Sequence, residues 1–126
     1  MKTTTSTCPF CSANDDVLLK NSHAYVRRDI NPVTPGHLLV IPFRHVASYF
    51  DTTDQERMAL LQLLTASKAW LVQNHAPAGY NIGINVGEVA GQTIPHVHIH
   101  LIPRYVGDVD NPRGGVRGVI PAKQSY

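Results

Sequence analysis

The sequence has no long apolar run and carries little charge. None of its segments approaches the ~18 apolar residues of a membrane-spanning helix, and its start, MKTTTSTCPF, lacks the apolar segment of a secretion signal. Charged residues make up 16% of the 126 residues, and the net charge of +2 comes from scattered Lys and Arg residues. We therefore expect a cytoplasmic protein with no membrane partner and no nucleic-acid partner.

Cysteine is also scarce, since Cys8 and Cys11 are the only two, in the sequence Cys-Pro-Phe-Cys. In a reducing compartment this spacing is typical of metal binding or redox chemistry rather than of a structural disulfide. The apolar content of 43% is enough for one packed core, so residues 1–126 are expected to form a single domain. The tail from about residue 107 is rich in Gly, Pro and Arg, and we expect it to be flexible.

Apolar periodicity predicts several strands and one long helix. Thr53 and Glu56 form a capping-box pattern, and the helical spacing that follows runs from Asp54 to about Asn74. Strands are predicted where apolar residues alternate or run together, at 17–19, 24–27, 37–41, 80–86 and 96–102. The prediction is an α+β domain in which an antiparallel sheet of about five strands packs against one helix.

Three histidines alternate along the last of these strands, namely His96, His98 and His100. Residues two apart on a strand share a face at a spacing of about 6.6 Å, so three imidazoles would stand in a row. A neutral imidazole has one lone pair that can attack an electrophile or bind a metal. The row therefore indicates either a three-histidine metal site that activates water or nucleophilic catalysis by one histidine, and spacing alone does not decide between them.

The residues around these histidines resemble the histidine-triad (HIT) family. The segment 91–104, GQTIPHVHIHLIPR, has the family's pattern of three histidines separated by apolar residues, preceded by Gly-Gln-Thr. Upstream, the segments DINP at 29–32 and PGHLLVIP at 35–42, followed by Arg44 and His45, match in the expected order. The resemblance covers roughly residues 8–106. It implies a HIT-like fold, a purine nucleotide or dinucleoside polyphosphate as ligand, and a homodimer.

The resemblance also implies a role for individual residues. His98 would be the nucleophile that attacks the α-phosphorus and forms a nucleotidyl-histidine, which water then hydrolyses. His100 would contact the transferred phosphate, and His37 would lie at the edge of the site in the histidine network. The implied nucleotide-binding residues are Asp29 at the ribose, Ile30 at the base, and Asn85, Gly91, Gln92 and Thr93 at the ribose, phosphate or bridging oxygen.

A zinc site is a further implication of the resemblance. Some bacterial members of the family, and the related hexose-1-phosphate uridylyltransferases, complete a Cys-x-x-Cys pair with two histidines. The matching residues here are Cys8, Cys11, His45 and His96, which would hold a structural zinc ion with no open coordination position. The alternative is a pair of reduced thiols. If His96 binds zinc, protonation of the leaving group falls to the substrate, to water or to another side chain.

The choice of substrate divides the family into branches. Gly-Gln-Thr before the histidines, and Pro103-Arg104 with Gly107-Asp108 after them, are similar to the branch that hydrolyses dinucleoside polyphosphates such as diadenosine tetraphosphate. One alternative is a nucleoside phosphoramidate hydrolase. Others are a nucleotide-binding regulatory module with little turnover and a metal-dependent hydrolase that uses the three histidines as ligands.

Overall fold

The computed structural model describes residues 7–12 and 16–126. They form an antiparallel five-stranded sheet in the order β1-β2-β3-β5-β4, with one long helix packed on it. This arrangement confirms the predicted α+β class. The elements are β1 (Leu19–Lys20), β2 (Ala24–Arg28), β3 (Leu38–Pro42), α1 (Asp54–Asn74), β4 (Gly79–Ile84) and β5 (Ile99–Arg104).

The long helix α1 begins and ends where the sequence predicts. The Thr53 hydroxyl accepts a hydrogen bond from the Glu56 N–H at 3.1 Å, and the Glu56 carboxylate accepts one from the Thr53 N–H at 2.8 Å. This reciprocal pair satisfies two N–H groups that the first turn would otherwise leave unpaired. After Asn74 the chain leaves the helix through Ala76, which has a positive φ of 48° and precedes Pro77.

The main core lies between α1 and one face of the sheet. Alternate residues of the strands point toward the helix, as the period of two requires. On the helix side, α1 contributes Ala59, Leu60, Leu63 and Leu71. The strands contribute Ala24, Val26, Leu38, Val40, Ile99 and Leu101.

The opposite face of the sheet carries a second, smaller apolar cluster. Tyr25, Leu39 and Ile41 pack there against Cys8 and Phe10 of the N-terminal segment. Because the strand residues alternate, His100 of β5 points to this face, which the helix leaves open. His100 therefore lies on the side of the sheet that the N-terminal segment partly covers.

Strand β5 differs from its prediction at the start. It begins at Ile99, whereas the sequence pattern predicts a strand from His96, so only His100 of the three histidines lies in the paired strand. Pro42 ends β3 and has no N–H to continue the ladder, and the Val97 N–H donates instead to the Val46 carbonyl at 2.7 Å. Strand β4 likewise ends at Ile84, before the predicted Val86, because its last partner is Ile99.

The C-terminal segment contains two short 3-10 helices, Gly115–Val119 and Pro121–Lys123. The first of them contacts β4. The predicted flexibility of the tail stays a prediction. Within the described ranges, no helix is both long enough and apolar enough to span a membrane.

Candidate active site and candidate metal centre

His98 lies in the extended segment that leads into β5, with its imidazole oriented by the main chain. Its Nδ1 is 3.0 Å from the carbonyl oxygen of His96, which can only accept, so Nδ1 carries the hydrogen. Nε2 therefore keeps a free lone pair. Burial lowers the pKa of His98, with an opposing contribution from its bond to His96, so the ring is neutral near pH 7. A neutral imidazole with a free nitrogen is the form that a nucleophile requires.

A chain of hydrogen bonds fixes the protons on the two neighbouring imidazoles. The Val33 N–H donates to Nδ1 of His37 at 3.1 Å, so His37 carries its hydrogen on Nε2. That Nε2 lies 3.0 Å from Nδ1 of His100, to which it donates. His100 must then carry its own hydrogen on Nε2, which makes it a hydrogen-bond donor on the cavity side. His98 and His100 thus present opposite functions, one a lone pair and the other an N–H, with ring centroids 4.9 Å apart.

Burial keeps this histidine network neutral. Burial, chiefly, together with repulsion from the neighbouring His98 and His37, lowers the pKa of His100 to about 4 against an opposing effect of Asp29. Burial also lowers the pKa of His37, although the Asp29 carboxylate, 3.4 Å from its Nε2, acts in the opposite direction. The contact between Asp29 and His37 is therefore one between a carboxylate and a neutral N–H.

A cavity of about 370 Å³ opens beside His98 and His100. Its mouth carries Ile30, which is 81% exposed and so offers an apolar side chain to a ligand. The structure brings seven of the predicted residues together on its wall, namely Asp29, Ile30, Asn85, Gly91, Thr93, His98 and His100. The wall thus combines apolar, acidic and imidazole groups in one place.

Gln92 does not line this cavity. Its side chain is 5% exposed and lies inside the loop, where its oxygen accepts from the Gly87 N–H. Its amide nitrogen donates to the carbonyls of Ala47 and Ile94. In this conformation Gln92 holds the loop in place rather than reaching a phosphate, because its amide groups are already bonded to main chain. The predicted contact between Gln92 and the substrate stays a prediction.

A second cavity of about 470 Å³ lies on the other side of His100. It shares Asp29, Asn31, Asn85 and His100 with the first cavity. His37 and Ile102 contribute to its walls, as do Val116 and Val119 of the C-terminal segment. Two ligand-sized spaces therefore meet at the same imidazole.

Several residues of the first cavity were not singled out from the sequence, among them Pro9, Phe10, Arg27, Arg28 and Ile94. Pro9 and Phe10 lie between the two cysteines, and the Phe10 ring contacts the His98 ring edge-on at a centroid distance of 4.9 Å. Arg27 lies two residues before Asp29, on the same face of β2 as the cavity. The signal for Phe10 was its position inside the cysteine pair. The position of Arg27 depends on strand register, which a single sequence does not contain.

The four predicted metal ligands come together beside the active site. Cys8, Cys11, His45 and His96 each offer a ligand atom within 4.8 Å of the other three. Nδ1 of His96 is 3.4 Å from the Cys8 sulfur, and Nδ1 of His45 is 3.2 Å from the Cys11 sulfur. Zn–S and Zn–N bonds of about 2.3 and 2.0 Å at tetrahedral angles place S and N about 3.5 Å apart, so the residues fit zinc.

The surroundings of the cluster support the same conclusion. Nε2 of His96 donates to the Pro42 carbonyl at 2.7 Å, which leaves the Nδ1 lone pair directed at the sulfurs. A carbonyl bonded to the second nitrogen is the usual support of a metal-binding histidine. Burial and the adjacent Cys8 thiol raise the pKa of Cys11 to about 11, so the thiol needs a cation to become a thiolate.

Comparison with known proteins identifies the family. The HIT domain model matches residues 12–107. The chain is 40% identical over 89 residues to bis(5'-nucleosyl)-tetraphosphatase [asymmetrical] of Schizosaccharomyces pombe, covering 71% of this chain and 48% of the relative. It is 33% identical over 95 residues to the AP-4-A phosphorylase of Mycobacterium tuberculosis, covering 75% and 49%. The chain thus spans about half the length of each of these relatives.

A solved structure agrees with the sequence comparison. The Zn-bound histidine triad family protein from Mycobacterium smegmatis superposes with a TM-score of 0.73 at 30% identity. The superposition covers 83% of this chain and 80% of that one. Taken with the family model, which matches most of the sequence, this likeness shows that the chain belongs to the HIT domain family.

Proposed function

We propose that this protein is a nucleotidyl hydrolase that cleaves dinucleoside polyphosphates at the α-phosphorus through His98. The observation that carries the proposal is the His98 imidazole, which is neutral, fixed by the His96 carbonyl and free at Nε2 beside a cavity. The substrate class is supported by the two relatives, since the name of each refers to a dinucleoside tetraphosphate.

The first cavity supplies a place for one nucleotide. Asp29 would accept hydrogen bonds from the ribose hydroxyls, and Ile30 and Leu39 would contact the base through their apolar side chains. Gly91 and Thr93 line the same cavity near the loop that precedes the histidines. Gly91 has a φ of +94° and open space around it, so its backbone can approach a phosphate closely.

The reaction would proceed in two displacements at the α-phosphorus. Nε2 of His98 attacks, an N–P bond forms, and the P–O bond to the leaving polyphosphate breaks with its electron pair. Water then attacks the same phosphorus, the N–P bond breaks, and the water proton is released to solvent with the nucleoside monophosphate. The Nε2–H of His100 stabilises the negative charge on the nonbridging oxygens in both steps, because it is an oriented donor in a partly dry site.

The second cavity supplies room for the leaving half of the substrate. It begins at His100, where the scissile phosphate would lie, and its walls include Val116 and Val119. A substrate with two nucleoside ends joined through phosphates matches two cavities that meet at one imidazole. A nucleoside phosphoramidate, with its smaller leaving group, would fill less of this space.

The direct test is a substrate panel with the native protein and His98→Ala. Diadenosine tri- and tetraphosphate, adenosine phosphoramidate and a nucleotide sugar are compared by product chromatography. We expect diadenosine tetraphosphate to give AMP and ATP, with turnover reduced by at least about 10³-fold in His98→Ala, since removing a nucleophile usually costs that much. His23→Asn, at an exposed histidine outside both cavities, is the matched control.

The outcome of the panel discriminates between the alternatives. Unchanged turnover in His98→Ala would reject the nucleophile. Faster turnover of the phosphoramidate would indicate a nucleoside phosphoramidate hydrolase. Negligible turnover of every compound would favour a nucleotide-binding regulatory module. Adding inorganic phosphate separates hydrolysis from phosphorolysis. Transfer of the nucleotidyl group to water gives AMP, whereas transfer to phosphate gives ADP in its place.

The metal centre would hold a structural zinc ion. Zinc bound by Cys8, Cys11, His45 and His96 would join the N-terminal segment to the residues around β3 and β5, and its chemical contribution is limited to holding these ligands together. The known zinc-bound relative supports this assignment. A homodimer is proposed through β4, which is one of the two edge strands of the sheet. The cytoplasmic location and the absence of nucleic-acid and membrane partners stay predictions.

A further inference from the structure

Arg27 stands in register with the catalytic histidines. Within the sheet, Arg27 of β2 pairs with Leu39 of β3, and Leu39 pairs with His100 of β5. Paired residues of adjacent strands point to the same face, so the three side chains form one row across the sheet. Because neighbouring strands lie about 4.8 Å apart, Arg27 is two spacings, or about 10 Å, from His100. The row runs along the first cavity, from His100, where the phosphate would bind, to Arg27.

Several apolar residues line the same cavity as this guanidinium. They include Pro9, Phe10, Ile30 and Leu39. The Arg27 guanidinium lies 5.8 Å from the centre of the Phe10 ring, and its Nη1 donates a long hydrogen bond, 3.4 Å, to the Pro9 carbonyl. A ring system that enters between these residues meets apolar side chains on its faces and the guanidinium at its edge.

The guanidinium keeps hydrogen-bond donors for a ligand. Across residues 7–12 and 16–126, no carboxylate forms an ion pair with Arg27. The neighbouring Arg28 also lines the cavity, but its guanidinium pairs with Asp16 at 2.7 Å and lies over Trp70. Among the described residues, the Pro9 carbonyl uses one of the five N–H donors of Arg27 and the Tyr25 hydroxyl also interacts with the guanidinium, which leaves at least three donors for a ligand.

These positions assign a function to Arg27 in choosing the base, given that the first cavity holds the nucleotide as proposed above. The phosphate lies at His98 and His100, the ribose at Asp29, and the base over Leu39, so the outer edge of the base faces Arg27. We propose that Arg27 reads this edge and selects 6-oxopurines, guanine and hypoxanthine, over adenine.

The chemistry of the two edges gives the reason for the selection. Guanine and hypoxanthine present two acceptors, O6 and N7, which match the parallel donors of a guanidinium. Adenine presents N7 beside an amino group, and that amino group is a donor that faces another donor. Arginine cannot lose its proton to relieve this mismatch.

The test compares two substrates in the native protein and in three variants. Diguanosine and diadenosine tetraphosphate are given to the native protein, Arg27→Met, Arg27→Lys and the control Lys68→Met, which removes an exposed charge from α1. We expect the native kcat/KM to favour the guanine compound about tenfold, and Arg27→Met to abolish that preference by lowering the guanine value. Arg27→Lys keeps the charge but not the paired donors, so its preference should also fall. Lys68→Met should leave both values unchanged.

Equilibrium binding separates this inference from the proposed reaction. GMP, IMP and AMP are titrated into His98→Ala, with and without Arg27→Met, so that no turnover is needed. Tighter binding of GMP and IMP that depends on Arg27 would support the inference even in a protein that cleaves neither compound. Equal binding of the three nucleotides, or a loss in Arg27→Met that is the same for all three, would overturn it and leave the role of His98 untouched.

Discussion

The histidines of the motif differ in what each ring nitrogen contacts. The Nδ1 of His96 faces two sulfurs, that of His98 faces a carbonyl, and that of His100 faces the Nε2 of His37. These contacts fit the roles proposed for the three residues, which are a metal ligand, a nucleophile and a hydrogen-bond donor in that order. Chemically identical side chains thus acquire separate functions because a neutral imidazole has one donor and one acceptor, and the partner decides which is which.

The ionisation of His100 gives a pH prediction. Its pKa is lowered to about 4 in the folded protein, against 6.5 for a free imidazole. Above pH 6.5 both folded and unfolded chains keep the ring neutral, so this group does not affect stability there. Between pH 6.5 and about 4 the unfolded chain takes up the proton first, and the free energy of unfolding should therefore fall.

Two measurements check this sign. The His100 ring resonances in an NMR titration should change with a midpoint near 4, and urea unfolding should require less urea at pH 5 than at pH 7. His100→Gln keeps a polar side chain without the titration, so it should lose less stability over the same range. A His100 midpoint near 6.5 would contradict the neutral network.

The N-terminus of α1 is held by more than its capping box. Glu56 is 4% exposed, and its carboxylate accepts from both the Thr53 N–H and the Arg44 guanidinium. The Arg44 guanidinium, chiefly, holds the pKa of Glu56 at about 2. This contact ties the start of the helix to the loop that follows β3 and carries His45.

Replacement of Thr53, the N-cap residue of α1, tests how much the capping box contributes to stability. Thr53→Ala should lower the free energy of unfolding by about 1 kcal/mol, because it leaves a helix N–H without an acceptor. Urea denaturation measures the change. Thr65→Ala, at an exposed position on the same helix, should change stability by less than about 0.5 kcal/mol. Equal losses in the two variants would show that the cap is not what stabilises this end.

Local chemistry explains which elements could be predicted. The bounds of α1 follow from Thr53, Glu56 and Pro77, all of which act on their near neighbours in sequence. The start of β5 could not be predicted, because the Val97 N–H donates to the carbonyl of Val46. Val46 is distant in sequence, so no local pattern indicates this bond. The orientation of the Gln92 side chain could not be predicted either, because its amide donates to the carbonyl of Ala47, which is also distant in sequence. Patterns in one sequence locate residues along the chain but not their partners across it.

For the molecule as a whole, the candidate metal centre connects the N-terminal segment to the residues next to β3 and β5. Cys8 and Phe10 pack with Tyr25, Leu39 and Ile41 in the smaller apolar cluster, and the Tyr25 hydroxyl donates to the Phe10 carbonyl at 2.6 Å. Such a short segment buries little apolar surface of its own. A bound ion would therefore contribute a large part of its attachment.

Removing the metal should loosen this attachment. We expect about one zinc per chain by elemental analysis of the purified protein, and a lower metal content in Cys8→Ser. A chelator should lower the thermal midpoint, since an ion at 100 times its Kd stabilises by about 2.7 kcal/mol. Native protein that is free of metal, fully folded and unaffected by chelator would reject the site.

Phe10 lies between two of the candidate metal ligands and also lines the first cavity, where the nucleotide is proposed to bind. If both sites bind as proposed, Phe10 would couple the occupancy of one site to that of the other. Thermodynamic reciprocity requires that any factor by which the ion strengthens nucleotide binding is also the factor by which the nucleotide strengthens ion binding. With positive coupling, abundant substrate would favour retention of the ion, and a shortage of zinc would weaken substrate binding.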